Sequence, residues 1–349
     1  MSNTLKAYDM LGLADEGNPT CKEWADGMRT AMLSNRNLIT DVDWPAGGSP
    51  PDLADLEARV AALEAAGSGW LQPTGGDDTA LLQAAIVEEE AKGWGGVLRL
   101  QGVFKVSDTL TIRRCHVDAA HARLETTAPV GIIVDTFPGS YDRYTYGSYQ
   151  LALPRVINVA SEYWVPAAET VGIKVVSSNF SLITVDADSW DVALLLAPES
   201  SGVAYNTFHV KRLTGRVACR LMPRHSGDVF GWANQNTFIG GSYAWLRDPT
   251  DREHAIHIGS APDVKSIPNN NVWVNPSVEG FDVAIDSGGS HDVFIAPRLE
   301  TVSPTFRFRG YAHNNIVVGG YGAQNWDIDE SAVLPQYRGL NGFVNGWTV

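Results

Sequence analysis

The chain has 349 residues, 44% of them hydrophobic, which is enough to bury the core of one large domain with appendages or of two ordinary ones. Its formal net charge of −14 and the lack of any Lys/Arg cluster argue against nucleic acid or an anionic membrane surface as the main partner. Cys21, Cys115 and Cys219 are odd in number and far apart, so neither a disulfide framework nor a zinc set is expected.

The first ten residues, MSNTLKAYDM, lack the basic and apolar regions of an export signal, and no run of about 18 apolar residues follows that would span a bilayer. Synthesis in a cytoplasm without membrane insertion is therefore expected. Within residues 1–43, Trp24, Met28, Ala31 and Met32 suggest a short amphipathic helix in an N-terminal arm able to dock on a larger assembly. Residues 44–52, WPAGGSPPD, have the composition of a linker, since Pro removes amide donors and Gly resists helix formation. In residues 53–67, Leu53, Leu56, Val60 and Leu63 recur at spacings of three, four and three, giving two heptads of a short coiled coil. So short a helix is marginal alone, but it can staple the head of a larger oligomer.

From Asp77 to Ile112 the order is Asp-Asp-Thr, an amphipathic helix carrying Leu81, Leu82, Ala85 and Ile86, Gly95-Gly96, and short β runs. The aspartates offer N-cap chemistry, and Glu88, Glu89 and Glu90 fall on the solvent side. This ordered string resembles the N-terminal cap of the pectate-lyase-like superfamily, with Gln101 where that family usually has Pro and Phe104 where it usually has Tyr. The resemblance implies an all-β chain, a right-handed parallel β-helix, over residues 70–323 with residues 77–112 as its cap. Thirty-four glycines and 18 prolines suit the many turns of such a solenoid.

Two strand types alternate beyond the cap. The first reads small-apolar-x-apolar: Gly172–Val175, Ala193–Leu196, Ala218–Leu221, Ala255–Ile258, Ala284–Asp286 and Thr305–Phe308. The second opens on a polar residue and runs apolar: Asn206–Phe208, Asn236–Ile239, Asn271–Val274, Asp292–Ile295 and Asn315–Val318, with a weaker copy at Ser181–Thr184. Coils that cannot bury an apolar side alone must stack, and the recurrent Asn predicts a polar ladder at a bend. Residues 324–349 lose the repeat and, with Trp326, Tyr337, Phe343 and Trp347, read as a C-terminal cap.

An N-terminal arm, a short coiled coil and a β-helix bearing NPSVEG and APRLET strings together resemble bacteriophage tailspike and tail-fibre proteins. That resemblance implies a homotrimer in the virion, docked on other tail or baseplate proteins through its arm and engaging a host-surface polysaccharide. Three functions follow as expectations: a glycan-binding adhesin, a depolymerase, or a structural tail component. Counting back five residues from Ala193, Ala284 and Thr305 puts Asp188, Glu279 and Glu300 in one column, with Leu213 as the corresponding residue before Ala218. Carboxylates on adjacent coils would stand about 4.8 Å apart at the backbone, close enough to share acid and nucleophile or base roles, with Asp188 or Asp186 as a third acid. Tyr243, Trp245 and Trp273 offer flat faces for sugar rings. His254 and His257 read as a surface pair, and no cofactor or metal set is predicted.

Overall fold

A computed structural model describes residues 69–338, apart from 137–147, 161–166, 199–201, 224, 227–228, 246–252, 260–266, 301–303, 311, 323–325, 330–331 and 333–335. The expected arm, linker and coiled coil lie outside the described residues. What is described is a right-handed parallel β-helix whose coils run through three main parallel sheets, with a short fourth ladder through residues 178–179, Gly202–Ala204 and Trp232–Asn234.

Helix α1, Thr79–Ala91, opens the solenoid and buries Leu82 and Ile86 against it. Of its two aspartates, Asp77 accepts from a first-turn amide as the sequence predicts, and Asp78 works differently. The Asp78 side chain makes no cap bond. It accepts from the Thr74 amide at 2.8 Å and from the Lys105 amide at 3.2 Å. Asp77 accepts from the Thr79 amide at 3.0 Å and the Ser107 hydroxyl at 2.6 Å. The pair thus ties the helix start to the strand Gly102–Val106. Two of the glutamates expected in solvent also accept from backbone amides, Glu89 from that of Val97 at 2.9 Å, in a strand, and Glu90 from that of Arg113 at 2.6 Å, just past one. Gly96 is required here: a Cβ on it would stand 1.9 Å from the Glu89 carbonyl oxygen.

The second strand type of the sequence forms the first sheet. Its register runs through Val117, Leu151, Ile183, Phe208, Phe238, Trp273, Phe294 and Val317. These central residues point inward, and four of their rings stack at centroid distances of 4.8, 4.8 and 4.9 Å from Phe208 to Phe294. The first strand type forms the third sheet, with Ile173, Leu194, Cys219, Ile256, Ile285 and Phe306 in register and buried. Between them lies a second sheet that the sequence reading does not contain. It is built from Gly102–Val106, Ala122–Thr126, Arg155–Asn158, residues 186–188, residues 212–214, Ser242–Ala244, Ser277–Glu279 and Arg298–Glu300. The strands Leu182–Leu196 and Thr207–Leu221 pass through all three sheets without interruption.

The predicted polar ladder is present at the bend before the first sheet. Asn206 donates to Asn236 at 3.0 Å, Asn236 to Asn271 at 3.1 Å, and Asn271 to Asp292 at 3.2 Å, all of them buried. Each Asn rung satisfies polar groups that burial would otherwise leave costly. The coil pattern also continues past residue 323, since Trp326–Ile328 pairs with Phe306–Phe308 and Gln336–Arg338 with Ile316–Val318.

Candidate functional site

Side chains alternate across a strand, so the second sheet presents two outward files, one on each side of its buried central row. One file contains Arg123, Arg155, Asp186, Arg212, Ser242, Ser277 and Arg298. The other contains Glu125, Ile157, Asp188, Thr214, Ala244, Glu279 and Glu300. Asp188, Glu279 and Glu300 therefore do stand in one column. Glu279 and Glu300 are direct register partners, and Arg298 ion-pairs with Glu300 at the surface.

Asp188 is not their neighbour. Thr214 and Ala244 intervene, which places it three coils, roughly 14 Å, from Glu279. The residue of the intervening coil is Thr214, whereas the five-residue count gives Leu213, because the register slips between Ala187 and Trp190. Leu213 is wholly buried. Ser189 takes φ +72° at this slip, a left-handed conformation that re-aims the strand, as a β-bulge does.

The slip gathers a compact polar cluster. Asp188 accepts from Arg155 Nη2 at 2.8 Å, from Ser189 Oγ at 3.2 Å, and from the Thr214 hydroxyl. Asp186 Oδ1 lies 3.8 Å from Arg155 Nε, and neither of these buried atoms makes a hydrogen bond. The two carboxyls are consequently driven apart in acidity. Burial raises Asp186 above the usual carboxylate range, and the charges of Arg155, Lys211 and Arg212 only partly oppose it. Burial would raise Asp188 too, but hydrogen bonds from Thr214 and Arg155 and the charge of Arg212 outweigh it and hold Asp188 below that range. Two neighbouring carboxyls whose proton affinities are pushed in opposite directions are an arrangement suited to acid–base work on a bound polar molecule. Arg155, 33 residues from Asp188 in the chain, carries no signal in the sequence. The Asp186-x-Asp188 spacing does, since alternate residues of a strand share a face.

The three aromatics expected as sugar platforms are core residues. Tyr243 and Trp273 are 0% exposed and Trp245 is 4% exposed. Trp273 is sandwiched between Phe238 and Phe294, so both its faces are already covered. An in-facing position on a stacked coil leaves no ring face for a ligand.

A second charged cluster sits on the outer side of the third sheet. His254 Nε2 and Arg309 Nη2 each lie 3.0 Å from Asp286 Oδ2, and Arg216 joins Asp191 to Glu253. His257, 5.0 Å from His254 between ring centres, is pushed down to about 4 by burial and by the charges of Arg220 and His254. These histidines are a half-buried part of an ion network, not the surface pair the sequence suggests. Among the described residues no three His, Cys, Asp or Glu side chains converge as a metal set. None of the described helices is long and apolar enough to cross a membrane. The thiols of Cys115 and Cys219 are buried and free, and burial pushes Cys115 up to about 12.

No protein-family model, no curated protein and no solved structure matches this chain. The fold and the outward face of its second sheet are the basis for a functional reading.

Proposed function

We propose that this chain is the receptor-binding spike or fibre protein of a bacteriophage tail, a homotrimer that holds a host cell-surface polysaccharide against its β-helix. Its N-terminal arm, in this reading, docks on other tail or baseplate proteins. The observation that carries the glycan-binding part is the pair of outward files on the second sheet. Where Asp188, Thr214 and Ala244 are buried, the neighbouring file still presents Arg155, Asp186, Arg212, Ser242, Ser277 and Arg298 over successive coils, a rigid run of donors and acceptors along which a hydroxyl-rich polymer can lie.

A depolymerase is the second reading, and Asp186 with Asp188 favours it. Asp186 would give its proton to the leaving oxygen as the glycosidic bond breaks, and ionised Asp188, held by Arg155 and Thr214, would stabilise the positive charge that develops. A water would bond to the anomeric carbon and return a proton to Asp186. The sequence-predicted pair Glu279 and Glu300 is the competing site on the same face.

The test is the chain length of purified host-surface polysaccharide after incubation with wild type, with Asp186→Asn, and with a Glu279→Gln, Glu300→Gln double variant, alongside its retention by each protein. Retention without shortening supports the adhesin. Shortening that Asp186→Asn abolishes supports the enzyme at the Arg155 cluster, with a loss on the order of 100-fold or more for a general acid. Shortening lost only in the glutamate variant moves the chemistry three coils along. Neither retention nor shortening removes the glycan reading.

A further inference from the structure

The bend before the first sheet carries a second column beside the polar ladder. The residue preceding each rung is left-handed: Phe180 at φ +55°, Tyr205 at +59°, Gln235 at +55°, Asn270 at +54°, His291 at +58° and Asn314 at +52°. Backbone amides lock this column in register, Tyr205 donating to Asn234 at 3.3 Å, Gln235 to Asn269 at 3.0 Å, and Asn270 to Ser290 at 3.0 Å. All six side chains are exposed, whereas the rungs next to them are buried.

Asn tolerates this backbone conformation, but for a bulky ring it is an outlier. The solenoid nevertheless puts rings there on two consecutive coils. Phe180 is 51% and Tyr205 50% exposed, and their rings lie parallel, 5° apart in tilt, with centroids 4.8 Å apart. A half-exposed ring contributes little burial to offset backbone strain, and Asn serves at the same turn on two later coils. Strained backbone positions of this kind cluster at ligand sites.

We infer that this corner, Phe180 and Tyr205 continued by Gln235, Asn270, His291 and Asn314, is a saccharide-binding ridge for a linear glycan lying along the solenoid axis. The ridge rests on the glycan-binding reading above and deepens it by naming a contact surface outside the second sheet. The chemistry is that of a sugar: rings for the C–H surface of a pyranose, a phenol and planar amides for its hydroxyls, and no carboxylate or guanidinium in the file. One planar group per coil gives a repeat of about 4.8 Å, comparable with the length of one pyranose unit.

The test uses Phe180→Asn, Tyr205→Asn, whose new residues suit the left-handed turn. Retention on a panel of immobilised bacterial capsular and O-antigen polysaccharides is measured beside the thermal midpoint, with Val87→Gln, at an exposed position of α1 away from both faces, as the control. The expected result is retention on the order of tenfold weaker than wild type, with a midpoint that rises as strain is relieved, while Val87→Gln is retained like wild type. Equal retention of wild type and ridge variant overturns the ridge and leaves the glycan reading standing. A lower midpoint with unchanged retention shows that the rings serve the fold and likewise overturns it. Wild type retained by no member of the panel overturns the ridge and the glycan reading together.

Discussion

At the scale of single residues, Asp292 is the position where one atom changes the behaviour of the fold. In the rungs above it an Asn amide nitrogen donates twice, once to the next rung and once to a carbonyl three residues before the previous one. Asn271 does so to Asp292 Oδ1 and to the Ala233 carbonyl. Asp292 has an oxygen, Oδ2, where those residues have nitrogen, and that buried atom makes no hydrogen bond. Its own amide donates to Asn315 Oδ1 at 2.8 Å, so the group across the step is also an acceptor. Only the protonated acid restores a donor there. Burial accordingly raises Asp292 to about 8, against which the hydrogen bonds from Asn271 are insufficient. The folded state then holds a proton that the unfolded chain releases near its ordinary value of 3.8. Asp292 thus favours folding fully below about pH 4, and the advantage is lost progressively as pH rises to about 8. Asp292→Asn should remove this slope. The difference between variant and wild-type midpoints should grow from pH 4 to pH 8, and a constant difference would show that Asp292 is not protonated in the fold.

At the scale of elements, the aromatic stack is the mechanical centre of the first sheet. Trp273 lies between Phe238 and Phe294 at 4.8 and 4.9 Å and is wholly buried. Trp273→Ala should cost about 3–5 kcal/mol of stability, read as a lower urea midpoint with little change in strand content. The strands that carry the stack were legible in the sequence because an Asn followed by an apolar run recurs from coil to coil, whereas the inward direction of their rings was not. Nor was the second sheet. Its later strands are three residues long and place one inward apolar residue each, Tyr243, Val278 and Leu299. One inward residue cannot establish a period of two. The candidate site lies on this sheet, which is why the sequence found a column of acids but placed Leu213 in it and missed Arg155.

At the scale of the whole molecule, the outward side of the first sheet is apolar over consecutive coils. Val272, Val274, Val293, Ile295, Ile316 and Val318 face out on either side of the stacked core, without a charge among them. On a chain of net charge −14, an uncharged flat strip of β-branched side chains is the surface on which like copies repel least. The proposed homotrimer would pack there. Ile295→Asp should then lower the solution mass toward that of the 37.8 kDa chain while leaving the β spectrum intact. Wild type that sediments as a 37.8 kDa species at every concentration would sink the trimer.

The sequence by itself determined the solenoid. Recurrent strand types, a bend marked by Asn and a helix-first cap are local patterns, and stacking is the only way such coils bury their apolar sides. It also determined that Glu279 and Glu300 stand together, because both follow the same short spacing to the next strand. Only the tertiary structure decided which acids are electrostatically divided. That division depends on a register slip near Ser189 and on Arg155 arriving from the preceding coil, and neither leaves a periodic trace. It likewise decided that Tyr243, Trp245 and Trp273 face inward while Phe180 and Tyr205 face solvent. Direction is set by coil register, and an aromatic letter in a sequence carries no direction of its own.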